Sequence, residues 1–132
     1  METTAHSETL TDAFRDHIGS DNVRAAFDEL AAGAATAGGI RCETRWKGVV
    51  RDFRLYDAVS GEQPFAVIVN KASLLFYVRQ PGLARLPGGT AQLAALLPDV
   101  SENRRGEIKI RLTTTDDVRR LLGYLFPGPR AH

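Results

Sequence analysis

Only one cysteine, Cys42, occurs in the 132 residues, so no internal disulfide and no thiolate zinc cluster can form within one chain. Histidine is nearly as scarce. His6, His17 and His132 are far apart in sequence, and none sits in a metal-ligand spacing. No segment reaches the roughly 20 consecutive apolar residues that a membrane-spanning helix requires. The opening residues carry acidic and polar groups without the apolar core of a signal peptide. The expectation is therefore a soluble cytoplasmic protein with no membrane partner, no metal and no cofactor.

What the chain does hold is an ordinary globular balance, with 43% hydrophobic and 25% charged residues. A single α+β domain over residues 1–132 is expected, with flexible ends near 1–8 and 127–132, the latter rich in proline and glycine. The formal charge of +1 hides a division along the chain. Residues 1–40 hold seven acidic residues against Arg15 and Arg24, a deficit of five. Residues 41–120 hold fourteen basic residues against nine acidic ones, a surplus of five. Such a division steers an anionic partner only if folding gathers the cations on one face.

The acidic third reads as helical. Leu10, Phe14 and Ile18 suit a short helix ended by Gly19. Ser20 ahead of Val23, Ala26, Phe27 and Leu30 gives a capped amphipathic helix running through the alanines to Gly38 and Gly39. The basic region reads as strands: residues 46–56, then 65–69, then 74–79, with short turns at 60–61 and 70–72 that favour antiparallel neighbours. Thr90 precedes a short helix that ends before Pro98. Ile108, Ile110 and Leu112 alternate with Glu107, Lys109 and Arg111, the clearest strand in the chain. Thr114 then caps a helix with Asp117 at its third position and Val118, Leu121, Leu122 and Leu125 as its apolar stripe. The predicted fold class is α+β, a small antiparallel sheet of about four strands packed against helices.

Residues 65–79, residues 103–112 and the Asp116-Asp117-Val118 helix start resemble a group of small uncharacterised α+β domains that accompany nuclease or restriction-type proteins. The resemblance covers residues 65–126, about half the chain. It implies a core strand, a second strand carrying basic residues, a loop, a further strand and a terminal helix, in a nucleic-acid context. It carries no active-site residues with it.

Chemistry has few candidates. Asp116 and Asp117 adjoin at a helix start, where carboxylates complement unpaired N–H groups, which stands against a Mg²⁺ role. Cys42 lacks a neighbouring histidine to act as base, and Ser73 and Ser101 lack the glycine-flanked elbow of a nucleophile. The sequence names no reaction, and a metal-dependent nuclease is the least favoured option. The expected function is that of a non-catalytic module binding the phosphate backbone of DNA or RNA through a basic sheet or loop surface. Arg104 and Arg105 come first as contacts, followed by Lys109 and Arg111, with Arg79 and Lys71 as further members. The alternative is a protein-binding or homodimerisation module without nucleic-acid contact, because residues 74–79 place Leu75 and Tyr77 opposite a second apolar set, and a one-sided sheet cannot hide both.

Overall fold

The computed structural model describes residues 2–5, 8–47, 50–86, 89–103 and 105–126, and the side chains of all of these except 2–5, 8–11 and 47. Strand β1 (Glu2–Ala5) precedes two helices, α1 (Glu8–His17) and α2 (Asp21–Thr36). Four strands follow: β2 (Ile40–Lys47), β3 (Val50–Asp57), β4 (Phe65–Val69) and β5 (Leu74–Val78). Short helices α3 (Gln80–Leu83) and α4 (Gly89–Leu96) lead to β6 (Val100–Glu102), β7 (Ile108–Leu112) and the terminal helix α5 (Thr115–Leu125). All strands join one sheet in the order β1-β2-β3-β4-β5-β7-β6, and every neighbouring pair is antiparallel.

The mixed α+β class and the antiparallel sheet are as the sequence predicts, but the sheet is larger, with seven strands among the described residues in place of about four. The stretch expected as one strand over 46–56 forms most of β3, while its first two residues end β2, a strand the sequence did not predict; the two pair along their whole length from Ile40↔Asp57 to Lys47↔Val50. Glu2–Ala5, expected within a flexible end, pairs with β2 as the edge strand. Helix α4 begins at Gly89, so Thr90 lies inside it rather than capping it.

Local chemistry explains the two best-defined helix starts. Ser20 Oγ accepts a hydrogen bond from the Val23 amide at 3.3 Å, and Thr114 Oγ1 accepts one from the Asp117 amide at 3.1 Å. Asp117 reaches back in turn, its Oδ2 accepting from the Thr113 amide at 3.2 Å. This is a capping box shifted by one residue, with the returning carboxylate taking the amide before the N-cap instead of that of the N-cap itself. Asp116 pairs with Arg120 at 3.0 Å one turn later. Both carboxylates thus serve the helix start.

One continuous cluster forms the core. Helices α1 to α5 all put residues into or against it, and they meet the inward alternation of the central strands: Phe53 and Leu55 of β3, Val67 of β4, Phe76 of β5 and Ile110 of β7. Gly33 of α2 lets Leu122 of α5 come closer than a β-carbon would permit, which seats these two helices against each other. The acidic N-terminal helices and the basic strands therefore share a core, and the charge division of the sequence becomes a division between layers. Within the helix layer, Arg119 of α5 pairs with Glu29 of α2 at 3.2 Å, so the C-terminal helix brings basic charge to the acidic helices.

Candidate functional site

Because side chains alternate across a strand, each inward residue of the sheet has outward neighbours, and the register fixes which of them stand in line. Two rows cross the middle of the outward face. One runs Glu43, Arg54, Ala66, Tyr77, Lys109, Ser101 from β2 to β6. The other runs Arg45, Asp52, Ile68, Leu75, Arg111, and ends on Asp99, whose carbonyl accepts from the Arg111 amide at 3.0 Å. Ile68, Leu75 and Tyr77 are half-buried, Ala66 beside them is 5% exposed, and all four lie outside the core cluster. Among the described residues, every buried helix side chain packs on the other face. The outward face is thus, among the described residues, an open sheet surface with an apolar centre.

Charge borders that centre, and most of it is already paired. Glu43 is buried, and it accepts from Arg41 at 3.1 Å and from Arg45 at 2.6 Å. Asp52 accepts from Arg54 at 2.6 Å. Arg111 pairs with Asp99 at 3.2 Å, and Arg79 pairs with buried Glu107 at 3.1 Å. The Arg41 guanidinium also stacks 4.4 Å from the Tyr56 ring centroid. Glu43, Asp52, Asp99 and Glu107 are each held by at least one arginine, so these cations form a bound network more than a free surplus.

This placement separates the basic residues singled out from sequence. Lys109 and Arg111 do lie together on β7, beside Tyr77 and Leu75 in their respective rows. Arg79 stands at the end of the same face, tied to Glu107. Arg105 is exposed in the β6–β7 connection, where its carbonyl accepts from Gln80 Nε2 at 2.5 Å. Lys71 is exposed in the β4–β5 turn, at the opposite end of the strands. A five-residue strand is about 17 Å long, so Lys71 and Arg105 do not share one patch. Arg104 lies outside the described residues. Ala66 and Ile68, which sequence reasoning did not single out, occupy the middle of the face beside Asp52 and Arg54; the period-two pattern of residues 66–68 was the available signal.

Elsewhere the chemistry is sparse. Burial pushes the Cys42 thiol up, away from thiolate reactivity. Among the described residues no three histidine, cysteine or carboxylate side chains gather as metal ligands. An open, mostly apolar groove of about 410 Å³ between α4 and α5 is lined by Leu96, Tyr124 and Arg120, whose guanidinium is engaged by Asp116. No helix is long and apolar enough to cross a membrane, among the described residues.

The paired carboxylates make the face acid-sensitive. Burial opposes ionisation of Glu43, but the hydrogen bonds from Arg45 and Arg41 outweigh it and hold the carboxyl below its usual range. Burial likewise opposes ionisation of Glu107, and Asn103 and Arg79 outweigh it. A carboxyl whose pKa is lower folded than unfolded adds stability above the unfolded value, and that contribution is lost as pH falls through the folded one. The urea midpoint should therefore drop as pH falls below about 4. Glu43→Gln should flatten that drop, and an unchanged pH profile in this variant would show that Glu43 is not a source of it.

Set beside family models, curated proteins and solved structures, the chain matches none.

Proposed function

We propose that the chain is a non-catalytic protein-binding module whose binding surface is the outward face of the sheet. The observation that carries this is the arrangement of the two central rows: Ala66, Ile68, Leu75 and Tyr77 in the middle, with charged residues on both sides. An apolar centre inside a polar rim is the anatomy of a protein interface, with tyrosine and arginine among its enriched residues. Burying such a centre releases water from apolar surface, while rim charges held in place by partners on the same chain lose little freedom on docking.

A phosphate backbone asks for something else. It needs cations whose charge is available, and in the two rows Arg45, Arg54, Lys109 and Arg111 face Glu43, Asp52 and Asp99, a surplus of one. One observation favours single-stranded nucleic acid as the second reading. Lys109 neighbours Tyr77 and, among the described residues, enters no ion pair, so a base stacked on the ring would place phosphate near a free ammonium.

Photo-crosslinking separates the two. A benzoylphenylalanine replacing Tyr77 should form protein adducts in cells, and one replacing Val59, which is 94% exposed in the β3–β4 turn, should not. Ile68→Asp in the same chain should remove the adducts, because a partner would have to desolvate the new carboxylate. Adducts to nucleic acid at position 77 would transfer the assignment to the second reading. No adduct above the position-59 control would rule out both.

A further inference from the structure

We infer that the partner seated on this face is a second copy of the chain, packed sheet to sheet about a two-fold axis that runs along the strands between β4 and β5. The inference rests on the protein-binding reading of the outward face and names its occupant.

The order of residues along the rows favours this axis. A two-fold axis along the strand direction carries each row of one copy onto the same row of the other, reversed from end to end. The row Arg45, Asp52, Ile68, Leu75, Arg111, Asp99 reads basic, acidic, apolar, apolar, basic, acidic. Reversed, it reads acidic, basic, apolar, apolar, acidic, basic. Every charge then faces its opposite: Arg45 meets the other copy's Asp99, and Asp52 meets its Arg111.

Side-chain size points to the same axis. Reversal sets Ala66 against Tyr77 and Ile68 against Leu75, a small residue opposite a large one and two of equal size opposite each other. Two aligned sheets pack at a nearly constant separation of about 10 Å, which requires facing pairs of similar combined volume. An axis across the strands instead sets Ala66 against Ile68 and Tyr77 against Leu75, a thin side and a thick side. It also stacks Lys109 on Arg111. The cost of the favoured axis is Arg54 opposite Lys109. Arg54 is neutralised by Asp52 at 2.6 Å, and the Lys109 stem can turn its ammonium toward Glu43, one strand further along the row.

Area limits the strength. Six strands about 4.8 Å apart and about five residues long present a flat face on the order of 450 Å². A specific interface starts near roughly 500 Å² per partner. The dimer is therefore expected to dissociate in the micromolar range rather than to be permanent.

Sedimentation velocity on the purified full chain tests this. The mass should rise from 14.4 kDa toward twice that value as concentration increases through the micromolar range. Arg111→Asp, at an exposed position, should weaken association about tenfold, and Arg111→Ala by less. Adding Asp52→Arg to Arg111→Asp should restore the affinity to within about threefold, since the swapped charges again face opposites. If Asp52→Arg prevents folding, the two Arg111 variants decide alone: unchanged or tighter association overturns this axis, because the competing one would be relieved of Lys109 facing Arg111. A chain that stays monomeric at every concentration while position 77 still crosslinks to a different protein overturns the second copy and leaves the binding face standing. A monomer without crosslinks overturns both.

Discussion

Phe76→Ala is expected to lower the unfolding free energy by about 3–5 kcal/mol, whereas Tyr77→Ala, one residue along the same strand, should cost about 1 kcal/mol. Phe76 is fully buried, and its ring centroid lies 5.6 Å from that of Phe65. Removing it leaves a cavity between β5 and the helices, which a seven-stranded sheet is too rigid to collapse. Tyr77 is half-buried on the outward face, so its truncation removes partial burial and opens no internal void. Urea unfolding of the two variants under conditions where the chain is monomeric gives the comparison. Equal losses would mean that the outward face is packed as tightly as the inward one, and the proposed binding surface would go with that result. A small loss for Tyr77→Ala together with lost association would locate the tyrosine's role outside the monomer.

The sequence made one face of this sheet legible and left the other obscure, for a physical reason. Inward residues are apolar because they are buried, so Ile108, Ile110 and Leu112 or Val67 and Val69 announce themselves by period and composition. The helix starts at Ser20 and Thr114 were readable for a similar reason, since a hydroxyl ahead of an apolar stripe has few other uses. Strand β2 was not read because its inward positions include Cys42 and Thr44, and its outward ones Arg41, Glu43 and Arg45, which gives a weak apolar signal despite full pairing with β3. The site depends on still less local information. That Asp52 stands in line with Arg111, three strands across, is a property of register, and register is set by turns and core packing rather than by either residue. Charge counted along the chain therefore overstated the basic surface. The surplus of five in residues 41–120 includes Arg85, which pairs with Asp57 beside the β3–β4 turn, and Arg120, spent on Asp116. Leu75 and Tyr77 were identifiable because a strand with apolar residues on both sides contradicts a sheet covered on one face only.

Gly82→Ala is the second large effect expected, a loss of about 2–4 kcal/mol from adding one methyl group. Gly82 is buried in α3, where that short helix crosses the open end of the β4–β5 hairpin. A β-carbon there would collide with the Pro64 carbonyl oxygen and would lie 3.0 Å from Val78 Cγ1 and 3.1 Å from Phe65 Cε1. The nearest obstacle is backbone, so no side-chain rotation relieves it. Pro64 cannot retreat easily, because its carbonyl also accepts from the Arg79 amide at 2.8 Å. Helix α3 must therefore lift, and what it carries must lift with it: Arg79 at its N-terminus is paired to Glu107, and Gln80 is bonded to the Arg105 carbonyl. The substitution should thus lower stability and also loosen the end of the outward face that Arg79 and Glu107 close. Thermal unfolding checks the first part, and amide exchange at residues 105–107 checks the second. Wild-type stability in Gly82→Ala would show that α3 can shift at no cost, and that this end of the sheet is not held by the contact at Pro64.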